Sequence, residues 1–144
     1  MSLYEKSPSH TLSRTAFMMM AKGNECLKLY MITGAQMYVM MQLWENEGRK
    51  MTHKQIYSLM DIKPPSLTKL INQLENKGYI TKRNDPEDKR STVISLTKAG
   101  MLLKERTMEF GAEFEKKMFS GIISQDIKTL KKVLLKIQEN LSKM

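Results

Sequence analysis

The sequence predicts a mainly α-helical protein that carries one small β-hairpin. Apolar residues recur at helical spacing, three or four positions apart, in six stretches of the 144-residue chain. Between the fourth and fifth stretches lie two short runs of alternating or β-branched residues, 79–83 and 92–96. The polar, charged segment that separates the two runs is rich in turn-forming residues, as is typical of a hairpin.

Residues 52–78 predict two short helices joined by a tight turn. Thr52 can cap the first helix, and Gln55 completes a capping box. Pro64-Pro65 can open the second helix, because N–H groups in a first turn have no partner inside the helix. Gly78 can end it in the left-handed conformation. One face of the second helix is predicted to be buried and is formed by Leu67, Leu70, Ile71 and Leu74.

The opposite face of this second helix carries short polar side chains, one lysine and few acids. In a helix-turn-helix the second helix lies in the DNA major groove. There Asn and Gln can pair with adenine, and Lys can pair with guanine or a phosphate. The predicted DNA-binding residues of this helix are Pro65, Ser66, Thr68, Lys69, Asn72 and Gln73. Ser66, Thr52 and His53 are predicted to contact phosphates, which position a protein without specifying sequence.

The hairpin follows the second helix directly, so it could reach over the DNA backbone towards the neighbouring minor groove. Arg90, in the loop of residues 84–91, is the predicted probe, because a narrow minor groove attracts arginine. Asp88 could hold the Arg90 guanidinium in one rotamer. Arg83 and Lys89 are predicted to assist at the groove or its rim. Taken alone, the loop could equally be an ordinary solvated turn.

The chain resembles the MarR family of winged helix-turn-helix regulators over nearly its whole length, least so before about residue 30. The resemblance lies in ordered pieces with the proper spacing: Leu67-Thr68-Lys69-Leu70, Leu74-Glu75 with Gly78, Asp88-Lys89-Arg90, and Leu96-Thr97 with Gly100. It implies a homodimeric DNA-binding regulator, by default a repressor, that responds to phenolic, lipophilic or oxidising compounds. Pro64-Pro65 departs from the family pattern, since prolines remove donors that could hold a phosphate at the helix N-terminus.

The helical stretches on either side of the winged unit are predicted to form a dimerisation region. The N-terminal one spans residues 11–33, with a weak point at Gly23-Asn24, after a frayed segment 1–10; the C-terminal ones, capped by Thr97 and Ser124, lie within 98–144. The last helix carries Ile127, Leu130, Leu134, Ile137 and Leu141, which step by three and four as in a coiled-coil seam. The chain is therefore predicted to be one MarR-like domain, 1–144, with the winged helix-turn-helix at 34–97.

Methionine is unusually frequent, with 14 residues, many of them in the first two helices. Flexible thioethers could form a pliable wall for a small lipophilic or phenolic effector. The residues of that predicted pocket are Met19, Met20, Met37, Met41 and Trp44. Simple filling of the core is the alternative for the same residues. For Cys26, a buried and unreactive thiol is the favoured interpretation over a redox sensor.

The formal net charge of +9 suggests a polyanionic partner, and residues 52–100 are the most basic third of the chain. A single cysteine cannot form an internal disulfide, and no apolar run reaches the length of a membrane span, so a cytoplasmic location is expected. No catalytic, cofactor or metal-binding motif is visible. Two alternatives stay open: a non-specific nucleoid-type or RNA-binding winged-helix protein, and a protein-interaction module.

Overall fold

The computed structural model describes residues 6–46, 50–60 and 62–144. Helices dominate these residues, together with one small antiparallel sheet, so the predicted fold class is confirmed. The elements are α1 (Pro8–Leu27), a 3-10 turn (Lys28–Tyr30), α2 (Gly34–Glu45), β1 (Met51–Thr52), α3 (His53–Leu59), α4 (Pro64–Asn76), β2 (Ile80–Asn84), β3 (Thr92–Leu96), α5 (Lys98–Met118) and α6 (Ser124–Ser142). They form two compact units, Met1–Thr107 and Met108–Met144.

Helix α1 begins earlier than the sequence predicted. Pro8 stands in its first turn, and the Thr11 N–H donates to the Ser7 carbonyl at 3.2 Å. The expectation of a frayed segment up to residue 10 was therefore wrong for residues 8–10, because proline already has the φ of a first helical turn. The helix continues through Gly23 and ends at Leu27, and Met31 then takes a left-handed conformation with φ 54°.

Helices α2 and α3 begin with the same device. In each, a threonine hydroxyl accepts the N–H of the residue three positions on, and that residue's glutamine side chain accepts the threonine N–H: Thr33 with Gln36, and Thr52 with Gln55. The second capping box was predicted and is confirmed, whereas the first was missed. Helix α2 ends at Glu45, and its predicted end at Gly48 lies outside the described residues.

Helix α4 and the hairpin follow the prediction closely. Of the four residues predicted for its buried face, Leu67, Ile71 and Leu74 are fully buried and Leu70 is half-buried, and Gly78 has φ 78°, as expected of a helix-ending glycine. Strands β2 and β3 pair antiparallel, with Lys82 opposite Ile94. The sequence did not predict β1, whose two residues pair with β3 and make the sheet order β1-β3-β2. A two-residue strand is too short for alternation to show.

The core of the first unit lies between α2, α4, the sheet and the start of α5. Its fully buried side chains include Met40, Ile56, Ile80, Ile94 and Leu103. Trp44 belongs to this core, since only 8% of its surface is exposed and its indole N–H donates to the Gly100 carbonyl at 3.0 Å.

The end of α5 and α6 make up the second unit. Thr97 caps α5 as predicted, because its hydroxyl accepts the Gly100 N–H at 3.1 Å. Gly121, between α5 and α6, has a left-handed conformation with φ 79°. Ser124 does not cap α6: Ile123 holds the N-cap position, and no side chain accepts a first-turn N–H there. In the described part of the chain, none of the helices is long and apolar enough to cross a membrane.

Candidate nucleic-acid interface

Four of the six residues predicted for the DNA-binding face of α4 are exposed, and the other two, Asn72 and Gln73, are half-buried. At about 100° per residue, the positions directly opposite the buried Leu67, Ile71 and Leu74 are Pro65, Lys69, Asn72 and Asn76. Pro65, Lys69 and Asn76 are exposed, and Asn72 is half-buried. The central positions of this face are therefore a proline, a lysine and two amides, and one of the amides, Asn76, was not among the predicted site residues.

The first turn of α4 provides no free backbone N–H for a phosphate. Pro64 and Pro65 have no N–H, and the N–H groups of Ser66 and Leu67 both donate to the Lys63 carbonyl, at 3.0 and 3.2 Å. Pro64-Pro65, which departs from the family pattern, therefore leaves the first turn without an N–H group that could bind a phosphate. Ser66, which is exposed, can offer only its hydroxyl.

Thr68 and His53 lie together where the N-termini of α3 and α4 meet. The His53 Nε2 is 3.2 Å from the Thr68 Oγ1, and this hydroxyl also donates to the Pro64 carbonyl at 3.1 Å. Thr52 is used by the capping box, in which its Oγ1 accepts the Gln55 N–H. Its hydroxyl proton is still available for another acceptor.

Asn72 is tied to the first strand of the hairpin. The Lys82 ammonium donates to Asn72 Oδ1, and the Lys82 backbone N–H donates to Glu75 Oε2 at 3.1 Å. Sequence reasoning passed over Lys82. A signal for it exists, because Lys82 is two residues after the buried Ile80 and therefore lies on the same side of β2.

Gln73 faces away from the centre of the exposed surface of α4. Its Oε1 accepts from Gln36 Nε2 at 2.9 Å, and the Gln36 Oε1 accepts in turn from Lys77 Nζ at 2.8 Å. Lys77 also donates to the Met31 carbonyl at 2.6 Å. The side chain of Gln73 therefore belongs to a polar cluster between α2 and α4, with its NH₂ group as its remaining donor.

The wing tip, residues 85–91 between β2 and β3, contains two turns, each of which is closed by an aspartate side chain. Asp85 Oδ1 accepts the Glu87 N–H at 3.0 Å, and Asp88 Oδ1 accepts the Arg90 backbone N–H at 3.0 Å. Among the described residues, no ion pair joins the Asp88 carboxylate to the Arg90 guanidinium. Asp88 thus orients the Arg90 backbone rather than its side chain, and Lys89 and Arg90 are both exposed.

The structure brings Arg90 to the α3–α4 junction. A cleft of about 510 Å³ is lined by the junction, the wing tip and the start of β3: His53, Lys54, Tyr57, Pro64, Thr68, Asp88, Arg90, Ser91 and Thr92. Arg83 lies elsewhere, in a second cleft of about 410 Å³ that it shares with Lys50, Thr52 and the acidic turn at Asp85–Glu87. Lys54 and Tyr57 line the cleft that contains Arg90, but they were not among the predicted DNA-binding residues.

The residues predicted for an effector pocket have unlike surroundings. Met19, Met20 and Met41 are exposed, Met37 is half-buried, and Trp44 is packed in the core. Cys26 is half-buried. No group of three or more metal-ligating side chains that could hold a metal ion occurs among the described residues.

Comparison with known proteins gives consistent matches over most of the chain. The family model described as transcriptional regulator SarA/Rot matches residues 23–107, more than half of the sequence. The organic hydroperoxide resistance transcriptional regulator of Bacillus subtilis (strain 168) is 31% identical over 137 residues, which cover 90% of each chain.

Solved structures share the fold. The chain resembles the S. aureus MepR–DNA complex with a TM-score of 0.86 at 23% identity, over 93% of this chain and 98% of that one. It resembles the reduced form of MarR from E. coli with a TM-score of 0.77 at 20% identity, over 91% and 96% of the two chains. The predicted winged helix-turn-helix fold is therefore confirmed.

Proposed function

Because the chain belongs to the SarA/Rot family of transcriptional regulators and has the MarR-type winged helix-turn-helix fold, we propose that it is a sequence-specific, ligand-responsive repressor. It binds a pseudo-palindromic operator on double-stranded DNA as a homodimer. The observation that carries this proposal is that the outer face of α4 presents Lys69, Asn72 and Asn76, while Thr68 on the same helix lines the cleft that contains Arg90.

The dimensions of α4 suit the major groove. Thirteen residues make a helix about 20 Å long, and the groove is about 12 Å wide. Lys69, Asn72 and Asn76 would meet base edges, with Thr68 at one border of the contact. Gln73 would contribute through its NH₂ group, since its oxygen is engaged by Gln36. Pro65, at the N-terminal end of α4, would make an apolar contact.

The cleft at the α3–α4 junction suits a stretch of sugar-phosphate backbone. Lys54 and Arg90 supply positive charge, and His53, Thr68 and Ser91 supply polar groups around it. Such contacts fix register and orientation and make binding sensitive to salt. Arg90 reaches from there to the minor groove, while Thr52, Arg83 and Lys89 contact the backbone at the rim.

A pseudo-palindromic operator has two half-sites, so two copies of the winged helix-turn-helix are needed to bind it, and the protein must be a dimer. Large apolar side chains are left exposed on the terminal helices, with 73% of Phe17 and 59% of Met20 exposed on α1, and 62% of Leu141 exposed on α6. Apolar surface of this kind usually marks a protein interface. Two copies related by a two-fold axis would present their α4 helices to half-sites about one DNA turn apart.

The effector is proposed to be a small lipophilic or phenolic compound held against the methionines at residues 19, 20, 37 and 41. Met19 and Met41 are each 44% exposed, so they are accessible to a ligand. Trp44 would form only the rear wall, because its N–H is already bonded to Gly100. Binding there regulates DNA affinity only if the ligand favours one distance between the α4 helices of the two copies over another.

Selection from a random duplex pool with the full chain tests the proposal. We expect enrichment of a two-fold symmetric motif. For that motif, Arg90→Ala should lower affinity about tenfold, because one minor-groove arginine is lost from each half-site. Arg106→Ala, which removes an exposed arginine of α5, is the control and should leave affinity within about twofold. Binding without enrichment and with a steep salt dependence would instead indicate a non-specific nucleic-acid-binding protein.

A further inference from the structure

Lys82 is held at three points beside the reading face of α4. Its ammonium donates to Asn72 Oδ1 and lies 3.9 Å from Glu75 Oε1, and its backbone N–H donates to Glu75 Oε2 at 3.1 Å. About a third of the surface of each charged side chain is exposed, 37% for Lys82 and 35% for Glu75. Asn72 and Glu75 are three residues apart, so they lie next to each other on α4.

We propose that Lys82 is a specificity-determining positioning residue, which makes Asn72 a hydrogen-bond donor that selects guanine over adenine. The inference rests on the proposed function, in which Asn72 meets a base edge in the major groove. It changes the sequence-based expectation, which paired Asn72 with adenine.

The chemistry of the contact fixes the orientation of the Asn72 amide. A lysine ammonium has only donors, so the Asn72 atom that faces it must be the oxygen and not the nitrogen. The NH₂ group of Asn72 is then the part that remains for DNA. It can donate to the N7 and O6 acceptors of guanine or the O4 of thymine.

Adenine is disfavoured by the same arrangement. Its bidentate pair with asparagine requires the amide oxygen to accept from adenine N6, beside the NH₂ that donates to N7. Lys82 already occupies one of the two lone pairs of that oxygen, so adenine N6 would have to share the oxygen with a charged donor. The positive charge of Lys82 also lies close to the contact, and it favours the acceptor-rich edge of guanine over an edge that presents a donor.

The contact is pre-organised. Lys82 lies opposite Ile94 in the sheet, its backbone N–H is held by the Glu75 carboxylate, and the same carboxylate neutralises part of the charge of its ammonium. Little side-chain freedom remains to be lost when DNA binds, and such pre-organisation favours one orientation of the reader over the other.

Sequence selection with the full chain and four variants tests the inference. Asn72→Ala identifies the base position that depends on Asn72, because the preference there is lost. At that position the unsubstituted protein should prefer guanine over adenine about tenfold. Lys82→Met should reduce this ratio towards one, since the amide becomes free to turn, and Lys82→Arg should restore the preference. Lys128→Met removes one exposed positive charge from α6 and should leave the ratio unchanged.

The outcomes separate the inference from the function on which it rests. Melting temperatures of Lys82→Met and Lys82→Arg within a few degrees of the unsubstituted protein would show that neither substitution unfolds the domain. Preference for adenine at the Asn72-dependent position, or a guanine preference that survives Lys82→Met, overturns the inference and leaves the proposed function intact. A selection that enriches no motif at all overturns both.

Discussion

Gly100 is the residue at which three parts of the first unit come together. A Cβ built on it would lie 2.2 Å from the Tyr79 carbonyl oxygen, which is backbone and cannot swing aside. The Gly100 carbonyl accepts the Trp44 indole N–H, and the Tyr79 carbonyl accepts the Thr97 N–H at 3.1 Å. The glycine therefore lets the start of α5 approach the base of the wing closely enough for these bonds to form.

Gly100→Ala is expected to destabilise the protein by at least about 2 kcal/mol, because the backbone around Tyr79 must move to admit the methyl group. Gly111→Ala in the same helix is the matched control. A Cβ at Gly111 would have no neighbour within 4 Å, so alanine there should stabilise by about 0.5–1 kcal/mol through helix propensity. Urea unfolding of both variants measures the difference, and a Gly100→Ala protein as stable as the parent would contradict the packing argument.

Helices α2 and α4 are joined by a buried amide. Gln36 has only 4% of its surface exposed. Its Oε1 accepts the Thr33 N–H and the Lys77 ammonium, and its Nε2 donates to Gln73 Oε1. The same side chain that completes the cap of α2 thus positions the C-terminal half of α4.

Gln36→Ala should cost about 2 kcal/mol of unfolding free energy, because it leaves partners in a half-buried site without their hydrogen bonds. Gln55→Ala offers a comparison within the same chain. Gln55 holds the equivalent position in the capping box of α3, but it is exposed, and among the described residues its side chain bonds only within that box, so its loss should cost about 0.5–1 kcal/mol. Equal destabilisation of the two variants, measured by denaturant titration, would mean that the bonds to Gln73 and Lys77 contribute nothing.

The elements that were predicted are those that depend on residues close to one another in the sequence. The capping box at Thr52, the helix-ending Gly78 after α4 and the two strands of the hairpin all follow from residues near in sequence, and each was predicted. Strand β1 was not, since its pairing partner is some forty residues away in β3. The contact that reassigns Gln73 was missed for the same reason, because Gln36 lies on another element, whereas Lys82, two residues after the buried Ile80, could have been found from the alternation of β2.

At the scale of the whole molecule, the charge and the apolar surface carry different information. The net charge of +9 indicates a polyanionic partner, but it does not say which residues meet it. The seam of α6 is more specific. Leu130 is 42% exposed and Leu141 is 62% exposed, and both lie on the side of the helix that carries Ile127, Leu134 and Ile137. An apolar stripe left in water on a helix of this length requires a partner surface.

A double substitution, Leu130→Lys with Leu141→Lys, should therefore convert the proposed dimer to monomers at micromolar concentration. Both side chains are already exposed within one chain, so the helix itself should remain folded by circular dichroism. Operator affinity should fall at least about 100-fold, because the second reading unit is no longer tethered to the first.

Leu135→Lys is the matched control for that double substitution. Leu135 is 54% exposed, but it lies on the other side of α6 among Lys128, Lys131, Lys132 and Lys136. Light scattering should find this variant still dimeric, with its operator affinity unchanged or slightly raised by the added charge. If Leu135→Lys dissociates the protein as readily as the double variant, or if the double variant stays dimeric, the seam is not the dimer contact, and the terminal helices must meet through another face.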